Sequence, residues 1–298
     1  MGKGKQDIPT IDFSNFPEEY AKLREACQEW GCFRMVNHGI PLDLMWDMKK
    51  VGRSLQDLPM EIKCRNTDVI PRSGYVAPSL DKPLFESLGL YDMASCHSVQ
   101  TYCSQLDASP HQREIIEKYA QAIYALAMEI GGKLAESLGV KSDFCKEWPC
   151  LFRINKYNFT PEAVGSIGAQ IHADPSFLTI LQLDENVGGL EVMEKKSGAL
   201  ISVDSLPGTL LVNLGDVATA WSNGRLFNVK HRVQCKEAAV RVSIATFLLG
   251  PKEAAVEAPP ELVDTEHPRL YVPFTYEEYR KLRSSSRCGA LDLLRIHS

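Results

Sequence analysis

Val240-Arg241-Val242-Ser243-Ile244-Ala245-Thr246-Phe247-Leu248 places apolar or β-branched side chains at 240, 242, 244 and 246. A period of two over nine residues is the pattern of an extended strand with two distinct faces. Working back from it, similar short runs recur at Phe152-Tyr157, Leu178-Leu183, Leu190-Met193, Leu200-Val203, Thr209-Leu214 and Val229-Val233, each bounded by Gly, Pro, Asn or Asp. Short strands with turn formers between them predict an antiparallel sandwich or barrel, not alternating strand and helix units.

Before residue 152 the pattern is helical. Tyr20, Leu23, Ala26, Cys27 and Trp30 share one helix face, and Gly31 is placed to end that helix in a left-handed conformation. Ile8 to Phe13 and Cys32 to Val36 read as short strands, and Leu42 to Leu58 as a helix interrupted at Pro59. Residues 64 to 109 carry Pro71, Gly74, Pro78, Pro83 and Gly89 and little periodicity, which predicts a long loop region with short pieces of structure. Ile115, Tyr119, Ala122, Ile123, Leu126, Ile130, Leu134 and Leu138 form the clearest apolar stripe, a helix that must bury it against something large, most simply a sheet. Thr275 to Leu294 reads as a polar helical tail. The expected division is a helix-rich region over 1–110 and a β core over 111–298, in one compact unit.

Composition excludes several classes. The 298 residues are 44% hydrophobic and 24% charged, ordinary usage for a globular protein. Thirty-three Lys and Arg against 38 Asp and Glu leave a net charge of −5, so no basic footprint for nucleic acid or an anionic membrane is present. No run approaches the roughly 20 apolar residues that span a bilayer. Met1-Gly2-Lys3-Gly4-Lys5-Gln6 has no apolar core behind its charge, and Gln6 does not meet the myristoylation pattern, so the cytoplasm is the expected compartment. Nine cysteines without a C-x-x-C pair predict reduced thiols and argue against a zinc ribbon.

The chemistry-bearing residues sit in the second half. His172-Ala173-Asp174 lies where a strand is expected to begin, which would aim an imidazole and a carboxylate at one point; alone, the triplet could equally be a surface salt link or a turn cap. His231 alternates with Val229 and Val233 and so should face inward, although a lone inward histidine is more often ordinary core. Two imidazoles and one carboxylate meeting on one side of a barrel would form the facial triad of non-haem iron, with open positions for other ligands. Arg241 and Ser243 share a strand face: either they lie on the solvent side of an edge strand, or they hold an anion, since the guanidinium fork matches a carboxylate. Tyr157 could donate its phenol to the same anion. Phe177 and Phe247 are the candidates for the wall of a substrate pocket, where an aromatic ring would pack.

Taken together, these residues resemble the plant soluble class of iron(II)- and 2-oxoglutarate-dependent dioxygenases. The likeness rests on Ile8-Pro9-Thr10-Ile11-Asp12, Trp30-Gly31-Cys32-Phe33, Val36-Asn37-His38-Gly39, His172-Ala173-Asp174-Pro175-Ser176, Val187-Gly188-Gly189-Leu190, Asn213-Leu214-Gly215-Asp216, Trp221-Ser222-Asn223-Gly224 and His231-Arg232-Val233. It implies an α+β, mainly β fold: a double-stranded β-helix, or cupin-like jelly roll, wrapped by helices. It also implies His172, Asp174 and His231 as iron ligands and Arg241, Ser243 and Tyr157 as the holders of 2-oxoglutarate. Iron(II), 2-oxoglutarate and O2 would be required, with ascorbate in support and a small molecule as substrate. The family often has Pro-Pro-Cys soon after the tyrosine, whereas this chain reads Asn158-Phe159-Thr160-Pro161. More narrowly, Tyr91-Asp92-Met93-Ala94-Ser95, Phe247-Leu248-Leu249-Gly250-Pro251 and Thr265-Glu266-His267-Pro268-Arg269-Leu270-Tyr271 resemble the branch that oxidises the auxin indole-acetic acid to 2-oxindole-acetic acid. The competing expectations are a gibberellin or flavonoid as substrate, a zinc hydrolase using the same ligands, and a hormone-binding protein without turnover.

Overall fold

The computed structural model describes residues 7–141, 144–286 and 289–296; the expectations for Met1 to Gln6 and for Cys288 lie outside the described residues. The chain opens with β1 (Thr10–Asp12), α1 (Tyr20–Glu29), β2 (Cys32–Val36) and α2 (Leu42–Gln56). Gly31 ends α1 at φ +66°, and a Cβ there would lie 2.2 Å from the Phe227 carbonyl oxygen, so both backbone conformation and space demand glycine. Pro59 separates α2 from the single turn α3 (Met60–Lys63). β3 (Phe85–Tyr91) and α4 (Cys96–Gln105) follow, then the 28-residue α5 (Pro110–Ser137). Ser109 and Gln112 form a capping box at the start of α5, with Pro110 in its first turn.

The second half supplies β4 (Cys150–Asn158), β5 (Ile167–His172), β6 (Leu178–Gln182), β7 (Leu190–Met193), β8 (Leu200–Ser202) and β9 (Leu210–Leu214). It continues with α6 (Asp216–Trp221), β10 (His231–Gln234), β11 (Val240–Leu248), β12 (Ala255–Val256), β13 (Phe274–Thr275) and α7 (Tyr276–Ser285). Seven strands form one sheet in the order β1-β2-β9-β6-β11-β4-β3, and four form a second, β5-β10-β7-β8. The two sheets make the jelly roll. Period two separates their faces: Phe152, Ile154, Ile180, Val212, Val242 and Ile244 join the cluster shared with the helices. Tyr157, Leu181 and Leu211 instead face Leu190, Val192 and Val233 of the small sheet. The stripe of α5 packs under the large sheet, where Tyr119 meets the Phe152 ring and donates to Gln182 of β6 at 3.0 Å, and also against α1, α2 and α4.

Three expectations need correction. Residues 64 to 109 hold more regular structure than expected: β3 pairs with β4 residue for residue from Phe85↔Tyr157 to Tyr91↔Leu151, and α4 adds ten helical residues. Glu86, Ser87 and Gly89 hide that strand because its polar side chains are satisfied inside, Glu86 by Lys63 at 2.6 Å and Tyr75 at 2.9 Å. His172 ends strand β5 instead of opening one, and Asp174 lies in the connection after it. β10 begins at His231, with Val229 buried just ahead of it. The sheet also joins the two expected segments: β1, β2 and β3 come from 1–110, while β4, β6, β9 and β11 come from 111–298. Among the described residues no helix is long and apolar enough to cross a membrane.

Gly89 provides a test of this packing. A Cβ there would lie 2.0 Å from the Ser73 carbonyl oxygen, whereas one at Gly132 in α5 meets nothing within 4 Å. Gly89→Ala should lower unfolding free energy by about 1–3 kcal/mol, and Gly132→Ala should raise it by about 0.5–1 kcal/mol through helix propensity. Denaturant titration of both variants decides the matter; equal stabilities would contradict the tight seating of β3.

Candidate active site

Three side chains from two strands and one turn converge inside the jelly roll. The Asp174 Oδ1 atom lies 3.6 Å from His172 Nε2 and 3.7 Å from His231 Nε2, and the imidazole centroids are 4.4 Å apart. The pairing of β10 with β5 sets His231 directly opposite His172. Each Nδ1 faces a carbonyl two residues back, Gln170 at 2.7 Å and Val229 at 3.4 Å, which directs each Nε2 lone pair toward Asp174. Their ligand atoms all lie within 4.8 Å of one another, the spacing of donors around one cation.

Charge and burial keep Asp174 ionised and His231 neutral. Burial pushes His231 down to about 4 and outweighs the attraction of Asp174, so its imidazole is neutral. At His172 burial opposes protonation, but the Asp174 carboxylate prevails and raises its pKa. Burial alone would raise the pKa of Asp174; the two imidazoles and Thr179, whose hydroxyl donates to Oδ2 at 2.6 Å, hold it well below the ordinary carboxylate range. A buried carboxylate flanked by two imidazole nitrogens, with no Lys or Arg ion-paired to it among the described residues, suits a divalent metal, and two nitrogens with one oxygen suit ferrous iron.

The backbone around these ligands is clamped. Asp216 N donates to the Asp174 carbonyl at 2.8 Å, and a Cβ on Gly215 would lie 2.2 Å from the Ser176 oxygen. Arg283 of α7 donates to the Ala173 carbonyl, between the two ligands, and to the Asp216 carboxylate at 2.7 Å. Tyr279 and Asn228 also donate to Asp216.

A cavity of about 460 Å³ opens from the triad. The inward positions of β4 (Leu151, Arg153, Asn155, Tyr157) and of β11 (Arg241, Ser243, Ala245, Phe247) line it. Arg241 is 3% exposed, donates to Ser243 Oγ at 3.2 Å, sits 5.5 Å from the Tyr157 ring centroid, and leaves Nε without a partner. Burial lowers its pKa, yet no carboxylate among the described residues forms an ion pair with it. A buried guanidinium short of acceptors is what an incoming carboxylate would satisfy.

Known proteins match this arrangement. Residues 148–250 match the model of the 2OG-Fe(II) oxygenase superfamily, and 8–114 that of the non-haem dioxygenase in morphine synthesis N-terminal region. A rice protein (Oryza sativa subsp. japonica) described as 2-oxoglutarate-dependent dioxygenase DAO is 52% identical over 285 residues, 94% of this chain and 95% of its own length. The chain belongs to the 2OG-Fe(II) oxygenase superfamily. Among solved structures, dioxygenase for auxin oxidation 1 from Arabidopsis thaliana in its 2-oxoglutarate complex is 59% identical, with a TM-score of 0.86 over 88% of this chain and 100% of that one. The rice dioxygenase for auxin oxidation is 51% identical, with a TM-score of 0.91 over 97% of this chain and 100% of that one. This oxygenase therefore uses iron(II), 2-oxoglutarate and O2.

Of the sequence-derived candidates, His172, Asp174, His231, Tyr157, Arg241, Ser243 and Phe247 all face the one cavity. Phe177 does not line it: the ring is fully buried among Phe144, Trp148 and Trp221, at 5.1, 5.8 and 5.6 Å, on the far side of the ligand turn. Sequence spacing cannot reveal that, because the partners come from distant segments. In the loop after Tyr157, Phe159 packs on that tyrosine at 5.6 Å and Pro161–Ala163 form a turn of 3-10 helix. Thr179, Asp216, Arg283 and Arg153 are site residues that the sequence pattern did not single out, although Asp216 lies within Asn213-Leu214-Gly215-Asp216, Thr179 within the run Leu178-Leu183 and Arg153 within Phe152-Tyr157.

The triad could hold one metal ion per chain, and His172→Ala or His231→Ala should abolish that stoichiometry while the fold stays largely intact. Thr179→Val should bind the metal about 10-fold or more weakly, since it removes the hydroxyl that orients the carboxylate. Metal titration followed by mass spectrometry under native conditions reads both; full retention in either histidine variant contradicts the site.

Proposed function

We propose that this 2-oxoglutarate-dependent dioxygenase oxidises indole-3-acetate to 2-oxindole-3-acetate. The observation that carries the reading is one cavity holding both the His172, Asp174 and His231 cluster and the unpaired, buried Arg241. The relatives named for auxin oxidation, at 51–59% identity over nearly the whole chain, support the substrate.

His172, Asp174 and His231 would hold the iron on one face and leave the opposite face open to small ligands. When bound, iron with 2-oxoglutarate and O2 supplies the oxidation: one oxygen atom enters the substrate, the other ends in succinate, and CO2 leaves. The chain's own work is placement and exclusion of water. Arg241 is set in advance by its bond to Ser243 and by the strand pairing Arg241↔Tyr157, so the far carboxylate of 2-oxoglutarate meets a fork already aimed at it. Ser243 and Tyr157 would complete that contact. Phe247 and the neighbouring apolar positions Ala245, Leu151 and Leu249 give an indole ring a dry wall beside the metal.

A substrate panel of indole-3-acetate, gibberellins and flavonoids with iron(II), ascorbate and 2-oxoglutarate tests the reading. Indole-3-acetate should gain one oxygen atom by mass with matching succinate release; oxidation of a gibberellin or flavonoid in its place would overturn the substrate while leaving the class. Arg241→Ala should raise the KM for 2-oxoglutarate by about 10- to 100-fold, the loss of one charge-assisted pair of roughly 1.5–3 kcal/mol. An unchanged 2-oxoglutarate requirement would show that Arg241 has been misassigned.

A further inference from the structure

A second set of cations faces the same cavity, away from Arg241. Arg153 projects inward from β4, and Arg72 and Lys82 reach the cavity from the segment that precedes β3. None of the three takes part in an ion pair among the described residues, whereas Lys63, Lys156 and Arg283 each hold a carboxylate at 2.6–2.9 Å. Among the described residues Arg153 has a single hydrogen-bond partner, the neutral Ser87 hydroxyl. Asp68 acts on Arg153 and Asp81 on Lys82 through space without forming an ion pair, and the two Asp68 oxygens accept the backbone N–H groups of Arg72 at 2.7 Å and Gly74 at 2.6 Å. Burial lowers the pKa of Arg153 to about 10, with Arg72 adding to the effect, and burial together with Arg72 and Arg153 lowers that of Lys82. Arg72 and Lys82 are exposed to solvent, whereas Arg153 is set back from it with no ion pair among the described residues, and it is this guanidinium that an incoming anion would pair with.

The anchor for 2-oxoglutarate lies elsewhere on the same strand pair. Arg241 stands opposite Tyr157, while Arg153 stands opposite Ala245, four residues and so about 13 Å along the strand. Arg241 keeps company with Ser243 and Tyr157, and Arg153 with Ser87, Arg72 and Lys82, with no shared partner. Gly89 and Ala245 flank Arg153 on its two neighbouring strands, and their small size leaves the guanidinium room above the sheet. The wall of the same cavity also offers the apolar side chains of Leu151, Ala245, Phe247 and Leu249.

We infer that Arg153, backed by Lys82 and Arg72, anchors the carboxylate of the oxidised substrate, and that the enzyme selects small apolar acids over their neutral analogues. The inference deepens the proposed function and rests on it for the ring, though not for the carboxylate. An acid held at Arg153 would lay its apolar body along Phe247 toward the metal, which is the orientation that presents the ring and not the carboxylate to the oxidant. Arg280 of α7 also lines the cavity, across the mouth, and serves as the comparison.

The test uses two acid and amide pairs, indole-3-acetate with indole-3-acetamide and phenylacetate with phenylacetamide. Their binding to the protein loaded with manganese(II) and 2-oxoglutarate is measured without oxygen, and KM and kcat are measured with iron. The wild type should bind each acid about 10-fold or more tightly than its amide, the expected scale for a charge-assisted contact. Arg153→Gln should remove that preference by weakening the acids alone, with amide binding and the KM for 2-oxoglutarate unchanged; Arg153→Lys should keep part of it, and Lys82→Met should reduce it less. An acid-to-amide ratio unchanged in Arg153→Gln and Lys82→Met, or one abolished by Arg280→Gln instead, overturns the assignment. Failure of the auxin reading has a different signature: neither indole compound is oxidised, yet phenylacetate still binds better than its amide through Arg153.

Discussion

The site depends on a carboxylate placed where water cannot solvate it. Asp174 is 4% exposed, and an ion of that kind costs several kcal/mol to bury unless charge and hydrogen bonds replace its hydration. The fold replaces it from three directions, as His172 ends β5, His231 opens β10 and Thr179 rises from β6, while the Asp216 N–H holds the turn by the Asp174 backbone carbonyl. Two of these contacts come from the small sheet and one from the large sheet. Closing the jelly roll therefore also assembles the metal site, where a bound metal ion would supply the positive charge that the neutral His231 imidazole cannot.

The co-substrate end is held by a different device, set on the outer side of β11. Val242 lies between Arg241 and Ser243; its N–H donates to the Asp184 carboxylate at 2.7 Å, and its carbonyl accepts from Lys49 of α2 at 2.8 Å. Lys49 also donates to the Leu183 carbonyl at 2.7 Å, and burial pulls its pKa down to about 8 against the attraction of Glu185 and Asp184. Arg53 joins the group through Asp184 at 3.0 Å and Glu185 at 2.9 Å. Helix α2 thereby grips the backbone of the residue whose two neighbours face the cavity. An inward pair at 241 and 243 stays fixed because the intervening residue is tied from behind.

Much of this was legible in the residues themselves. The period of two in β11 revealed which side chains look inward, and the structure keeps every one of Arg241, Ser243, Ala245 and Phe247 on the cavity face. Gly31 marked a helix end, and its φ is left-handed, because that conformation has a residue-specific cost. β3 escaped notice because its stability comes from long-range partners: Glu86 is strand-unfriendly until Lys63 and Tyr75 are beside it, and Gly89 is there to let Ser73 approach. Phe177 failed for the converse reason. An aromatic residue three positions from a metal ligand has no preference between cavity and core, and Phe144, Trp148 and Trp221 decide it. Arg153, in the run Phe152-Arg153-Ile154-Asn155, carried no signal of being unpaired, since the absence of an acid is a property of the whole fold.

The last helix ties these parts together. Arg283 reaches past Asp216 to the carbonyl between the two ligands on the 172–174 turn, while Tyr276 and Arg280 of the same helix line the cavity mouth. Thr275 fixes where α7 begins through a capping box with Glu278, so the register of the helix, and with it the reach of Arg283, is set by its first turn. A helix that read as a polar tail thus has one face in the site: Tyr279 is fully buried and donates to Asp216, and the same carboxylate takes Arg283 and Asn228. Through Asp216 the backbone of the metal turn, the start of α6 and the closing helix share one anion, so displacement of α7 would alter ligand geometry and cavity shape together.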